Sequence, residues 1–355
     1  MSSEHVRTDE VEKYWDTLMR QYGGWFPNGN PSFEEAIARG GGWSLPDILT
    51  GLLHFLLGEV AAGGRLLAMI VVLTVLGVVL ETVQPAFERT TVSKIAYAVS
   101  YLVIVVIAVN SFGLAIGYAK NAISDMTHFM LAMMPLLLTM LASMGNIATV
   151  SVMHPLIVFM IHAVGVLVHV FVFPLLFFSA VLHIVSTLSD KFKATQLAVL
   201  LRTVAIGTLT AALTVFLGVI SVQGATSGIA DGVALKTAKY VAGNFIPVVG
   251  RMFSETTDTV LSASLLLKNA IGLAGVIIVA LLAAFPALKI LALGFIYHLG
   301  AALLQPLGDS PVIGCLSTIG KSMIYVFAAV ATVGLMFFLA ITILIAAGNL
   351  TVMMR

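Results

Sequence analysis

Charge is what this 355-residue sequence most lacks: 10% of its residues are Asp, Glu, Lys or Arg, against 59% hydrophobic. Soluble proteins carry about 25% charged residues. Mean hydropathy is +1.06. No soluble fold of this size could hide so much apolar surface, so the class is an all-α polytopic integral membrane protein. The net charge of +1 argues against nucleic acid as a partner. A single cysteine, Cys315, excludes an intrachain disulfide. Enzyme signatures are also missing: there is no GxSxG, no HExxH, no Walker loop and no pair of intramembrane carboxylates. No catalytic activity, cofactor or metal site is therefore expected. The opening "MSSEHVRTDE" has neither a basic nor an apolar region of the kind that begins a cleavable signal peptide, so none is expected in the chain as it stands.

The few charges are unevenly placed. Residues 1–65 hold nine acids and five Lys/Arg, whereas residues 66–355 hold eight and thirteen. Residues 1–64 thus read as a hydrophilic, acidic N-terminal segment. Within it, Val11, Trp15, Leu18 and Tyr22 fall on one face of an amphipathic helix. "SFEE" (Ser32 to Glu35) is a capping box, "GGG" at 40–42 ends the short helix it opens, and Ser44 with Asp47 forms a second box. The stripe from Leu45 to Val60 suits a membrane surface, a partner helix or the protein's own bundle.

Beyond residue 65 the charge-free runs measure the membrane part. Ile95–Ala119 lacks charge over 25 residues, and Met126–Ser189 over 64. A span takes roughly 20 apolar residues at about 1.5 Å each. About 7–9 membrane segments are predicted, including broken or re-entrant helices, and residues 65–119 supply two leading transmembrane helices. Val152–Leu188 would be about 55 Å long if straight, so a kink or fold-back is expected at Phe173–Pro174. Arg89, Lys94, Lys191, Lys193 and Arg202 suit cytoplasmic loops, which places the N-terminal segment on the other side. Lys236, Lys239 and Arg251 oppose that orientation.

Two internal repeats are expected, 115–225 and 227–348. Pro135 and Pro174 are 39 residues apart, as are Pro247 and Pro286, with an offset of 112 between the pairs. Further on the offset becomes 115, which pairs His183 with His298 and "LRTVA" with "LSTIG". Repeats of this kind are common in transporter and channel folds.

Polar and small residues inside apolar runs are the candidate helix-contact or pore-associated positions. Asn110 and Ser111 lie deep in a span, where an amide is costly unless bonded to another helix. Gly113 with Gly117, and Gly224, Gly228 and Gly232, form GxxxG patterns that permit close contact. Pro135, the break at Gly145–Asn146, Pro155, Pro174, Pro247 and Pro286 interrupt helix. His154, His162 and His169 share an arc of about 80° on a continuous helix. They could line a wet path, but bonding to neighbouring backbone is the preferred reading. Six methionines between Met126 and Met144 fill gaps rather than bind copper.

The ordered sequence "NSF…MMPLLLTMLASMG…HP", from Asn110 to Pro155, resembles the stage III sporulation protein AE family, and the likeness runs over most of the chain from about residue 45. The resemblance implies a non-enzymatic multispanning component of the channel complex that links mother cell and forespore. Its implied place is the mother-cell membrane surrounding the forespore. The implied partners are the other proteins of the same operon, including a secretion-type ATPase and ring-forming proteins, and indirectly a forespore membrane protein. A homo-oligomer acting as channel platform or gate is expected. The alternative is a secondary transporter of a small solute built from the two repeats. Members of the family typically begin with a signal-like segment, which is not expected from the opening residues of this sequence.

Overall fold

A computed structural model describes residues 2–26, 31–38, 45–83, 91–144, 146–188, 194–245, 249–307 and 311–353. Every described element is helical. Three helices make the N-terminal segment: α1 (Ser2–Tyr22), α2 (Phe33–Ala38) and α3 (Leu45–Ala62). α4 (Gly64–Val83) follows, then α5 (Thr91–Ser143), α6 (Ile147–Leu167), α7 (Phe173–Leu188), α8 (Thr195–Phe245), α9 (Val249–Leu304) and α10 (Pro311–Met353).

Side-chain contacts fix the directions. Tyr297 meets Ser111, and a Cβ on Gly275 would meet Met133, so α5 and α9 are antiparallel. Gly294 lies against Gly320, and Gly334 against Ala283, so α9 and α10 form an antiparallel hairpin. Arg202 pairs with Tyr325 and Phe216 with Phe337, so α8 runs parallel to α10. Tyr101 bonds Thr187, which brings the start of α5 beside the end of α7. The starts of α8 and α10 share that end of the bundle. The core between these helices is apolar and tight: Ile104, Phe112, Phe129, Ile278, Phe285, Met323, Val330 and Phe337 are all buried.

Among the described residues, six stretches are long and apolar enough to cross a membrane, against the 7–9 segments predicted: 46–76, 98–143, 149–187, 195–231, 269–304 and 311–347. The difference lies in the long charge-free run. At roughly 20 residues per span that run is long enough for three, but it forms the second half of α5 and a single rod made of α6 and α7. The predicted fold-back at Phe173–Pro174 does not occur. A π-helical turn, Val168–Val172, is inserted just before the proline, and the Phe173 N–H bonds the carbonyl of Val168, five residues back. The extra residue in that turn re-registers the ladder around the proline, which has no N–H of its own. Pro135 and Pro155 likewise lie inside α5 and α6 without ending them. Beyond Pro135 the hydroxyl of Thr139 donates to the carbonyls of Pro135 and Leu136 within the continuing helix. No re-entrant hairpin forms there. The chain reverses instead at Met144–Asn146, where the Asn146 N–H bonds Leu141 O at 3.0 Å. Pro247 and Gly145, and the boxes and breaks predicted at 40–42 and Ser44, lie outside the described residues.

Candidate functional site

The amphipathic face read from α1 is the face that packs. Val11, Trp15, Leu18 and Tyr22 are all buried, while Glu12, Lys13, Asp16 and Arg20 are exposed. α1 lies in the groove between α5 and α9. Tyr14 meets Phe129 edge-on with centroids 5.2 Å apart, and Tyr22 stacks flat on Phe285 at 3.8 Å. Phe55 of α3 closes the same cluster, 4.9 Å from Phe285. Glycines on α3 admit the aromatic rings: a Cβ on Gly51 would sit 2.5 Å from the Phe26 ring, and one on Gly58 2.5 Å from Trp25. Trp15 donates from its indole nitrogen to Pro31 O at 2.9 Å, tying α1 to the start of α2. The Ser32–Glu35 capping box forms as expected, with Glu35 N–H on Ser32 Oγ and Ser32 N–H on Glu35 Oε2.

A cleft of about 720 Å³ lies along this junction, lined by Glu10, Lys13, Tyr14, Tyr118, Asn121, Asp125 and Lys289 among others. Lys289 pairs with Glu59 of α3 at 3.6 Å and lies 5.7 Å over the Tyr118 ring. This polar layer divides two helices that would otherwise be continuously apolar. At about 1.5 Å per residue, the apolar stretch of α5 is near 70 Å long, more than twice a hydrocarbon core of about 30 Å. The exposed charges of α1 beside residues 118–132 and 282–289 require water or a polar surface at that level.

Burial raises the Tyr14 phenol above its usual range, with Asp125 and Glu10 adding to the effect. Burial, then Glu59 and Asp125, pushes Tyr22 up to about 12. A raised phenol pKa favours the docked, neutral form. This stabilisation of α1 docking is complete below pH 10, where a free phenol ionises, and is lost as the pH rises toward 12. Protease cleavage within α1 is expected to accelerate over that window, and Tyr22→Phe to shift the acceleration to higher pH.

The sequence-derived candidates divide sharply. Ser111 is buried and accepts a 2.8 Å bond from the Tyr297 hydroxyl, but Asn110 is exposed on the outer face of α5. Helix bonding at depth thus falls on the serine and not on the amide. Gly113 and Gly117 face open space. Gly224 is packed, 3.1 Å from Ile343 as a Cβ would see it; the side-chain surroundings of Gly228 and Gly232 lie outside the described residues. His154 and His162 are exposed, so the three histidines do not line an internal path. His169, half-buried, has Nδ1 3.1 Å from the Gly165 carbonyl within its own helix. Pro155 is exposed; Pro135, Pro174 and Pro286 are half-buried. Asn146 is wholly buried and stands at the N-cap of α6 without a side-chain cap bond. The cap comes instead from a residue sequence reading missed: Asp231 Oδ2, 82 positions on, accepts the Thr149 N–H at 2.8 Å. Met126, Met130, Met133 and Met134 are fully buried gap-fillers. Among the described residues, no group of three His, Cys, Asp or Glu is placed to hold a metal.

Fold and site together define a multispanning helical membrane protein with a hydrophilic helix docked across its two longest helices. The model of the stage III sporulation protein AE family matches residues 31–348. Stage III sporulation protein AE of Bacillus subtilis (strain 168) is 51% identical over 351 residues, covering 99% of this chain and 88% of the relative. No solved structure matches. The chain belongs to the stage III sporulation protein AE family. That name is of a sporulation protein and not of an enzyme class.

Proposed function

We propose that this protein is a non-enzymatic multispanning component of the channel complex linking mother cell and forespore, seated in the mother-cell membrane around the forespore. It acts as an oligomeric platform or gate and engages the other proteins of its operon, among them the secretion-type ATPase and the ring-forming proteins. Family membership over residues 31–348 carries this proposal. A bundle about twice as long as a bilayer is thick, with a polar junction near its middle, suits a part that must offer surface beyond the lipid. Affinity capture of the tagged full chain from crosslinked sporulating cells should recover the operon partners. A strictly monomeric particle that recovers none of them would sink the proposal.

Gly113 and Gly117 test self-assembly. With open space outside each, alanine at both positions should leave the monomer folded and slightly more stable, by up to about 1 kcal/mol per site in helix propensity. Leucine at both should also fold but lower the oligomer fraction seen by native gel or mass photometry if this face meets a second copy. Unchanged assembly in the leucine variant would remove these glycines from the interface.

The polar cleft is the observation that favours the second proposal, a secondary transporter of a small solute. Saturable uptake into liposomes by the protein alone, lost in Asp125→Asn, would support it over the channel platform.

A further inference from the structure

A second polar cluster lies away from the cleft, near the end of the bundle where α5, α8 and α10 begin. Four helices each bring one basic or protonatable group: His183 from α7, Arg202 from α8, His298 from α9 and Lys321 from α10. The packing that gathers them is tight. Ser179 Oγ donates to Ala198 O at 2.6 Å and holds α7 to α8. On the α9–α10 side, a Cβ on Gly320 would stand 2.9 Å from the His298 ring and 3.1 Å from Gly294 O, so the glycine seats the imidazole against α10. Ser179 is one turn before His183 and Ala198 one turn before Arg202, Arg202 meets Tyr325 one turn on from Lys321, and Gly320 beside Lys321 touches His298, so the four lie at one level of the bundle. The Arg202 guanidinium stacks 4.8 Å over the Tyr325 ring. His183 Nδ1 lies near the Ser179 carbonyl at 3.3 Å.

Among the described residues, no acid is ion-paired with this cluster. Among the described residues, neither Arg202 nor Lys321 has an ion-pair partner; the ion pair found there is Lys289–Glu59, in the cleft. Uncompensated cations in apolar helices are costly and call for a counter-charge. A lipid phosphate is one such charge. The four residues lie roughly 8–15 Å inside the helix ends at about 1.5 Å per residue, and long basic side chains near helix ends reach toward the headgroup interface. Exposed apolar side chains, Leu200, Val204 and Ile324, flank the cluster and suit acyl chains. Arginine offers paired donors to a phosphate, and basic pockets between membrane helices take anionic headgroups.

We propose that His183, Arg202, His298 and Lys321 form a binding site for the phosphate of an anionic phospholipid in the leaflet at this end of the bundle. The inference needs only that the chain is membrane-embedded, and stands apart from the channel role. It is tested by incubating the delipidated full-length protein with mixed phosphatidylglycerol and phosphatidylcholine and weighing retained lipid by native mass spectrometry. Wild type should retain phosphatidylglycerol preferentially. Arg202→Gln with Lys321→Gln should weaken retention about fivefold per removed charge, roughly 25-fold together. Arg202→Lys with Lys321→Arg should restore most of it, which separates charge from fold, and Lys289→Gln in the cleft should change nothing. Equal retention of the two lipids, or equal retention by wild type and the double Gln variant, overturns the proposal. Displacement of the bound species by equimolar inorganic phosphate would also overturn it, assigning the site to a free anion.

Discussion

Phe285→Ala should release the N-terminal segment from the bundle while leaving the long helices folded. Phe285 is fully buried, and three rings of the N-terminal segment converge on it: Tyr22 stacked at 3.8 Å, Phe55 at 4.9 Å and Phe26 at 6.0 Å. Truncating a buried phenylalanine costs about 3–5 kcal/mol from lost contact and the cavity left behind. Here the loss falls on one interface. The opposite faces of α9 stay packed on α10, where Gly294 lies against Gly320 and Ala283 against Gly334. Docking of α1 should weaken by two orders of magnitude or more, since about 1.4 kcal/mol is tenfold. The readout is protease cutting within α1 in proteoliposomes, set against a melting curve of the whole protein. Phe285→Leu keeps most of the volume and should cost less than half as much. A Phe285→Ala protein whose α1 stays protected would show that the packing of Tyr14 on Phe129 suffices to hold the segment.

The N-terminal helices were legible because their signals are local. A period-3.6 apolar face and a Ser-x-x-Glu box depend on neighbours within one or two turns, and both form as read. Hydropathy likewise named the class. It failed on how spans divide, because a charge-free run reports only that its residues tolerate lipid or one another. Proline misled in the same way. It removes one N–H, and a long packed helix absorbs that loss: a π turn precedes Pro174, and α5 runs through Pro135 unbroken. Direction around the helix was harder still. Asn110 and Ser111 are adjacent, so about 100° separates them, and only the packing of α9 decides that the serine faces Tyr297 and the amide faces out. The cleft was invisible because Glu10, Glu59, Asp125 and Lys289 come from four separate helices.

Asp231→Ala should be the most damaging change at the opposite end of the bundle. α6 opens at Ile147, and its first backbone N–H groups have no partner within the helix. Asn146 occupies the capping position but makes no cap bond, and its side-chain nitrogen and oxygen are both buried without hydrogen-bond partners. The carboxylate of Asp231 on α8 takes over, accepting the Thr149 N–H at 2.8 Å in a site where Asp231 itself is 3% exposed. It thereby satisfies an orphan donor, and its negative charge meets the positive end of the α6 dipole. Alanine removes both and leaves a buried N–H unpaired, a loss of about 1–3 kcal/mol for the donor alone, with the dipole contribution added. It also unties α6 from α8 at a contact between residues 82 apart. Asp231→Asn keeps an acceptor oxygen and loses only the charge, so it should fall between wild type and alanine. Hydrogen exchange at residues 147–150 reports the cap directly: protection should drop strongly in Asp231→Ala and modestly in Asp231→Asn, with exchange in α9 and α10 unchanged. Equal behaviour of the two variants would mean that the charge, and not the hydrogen bond, holds the start of α6.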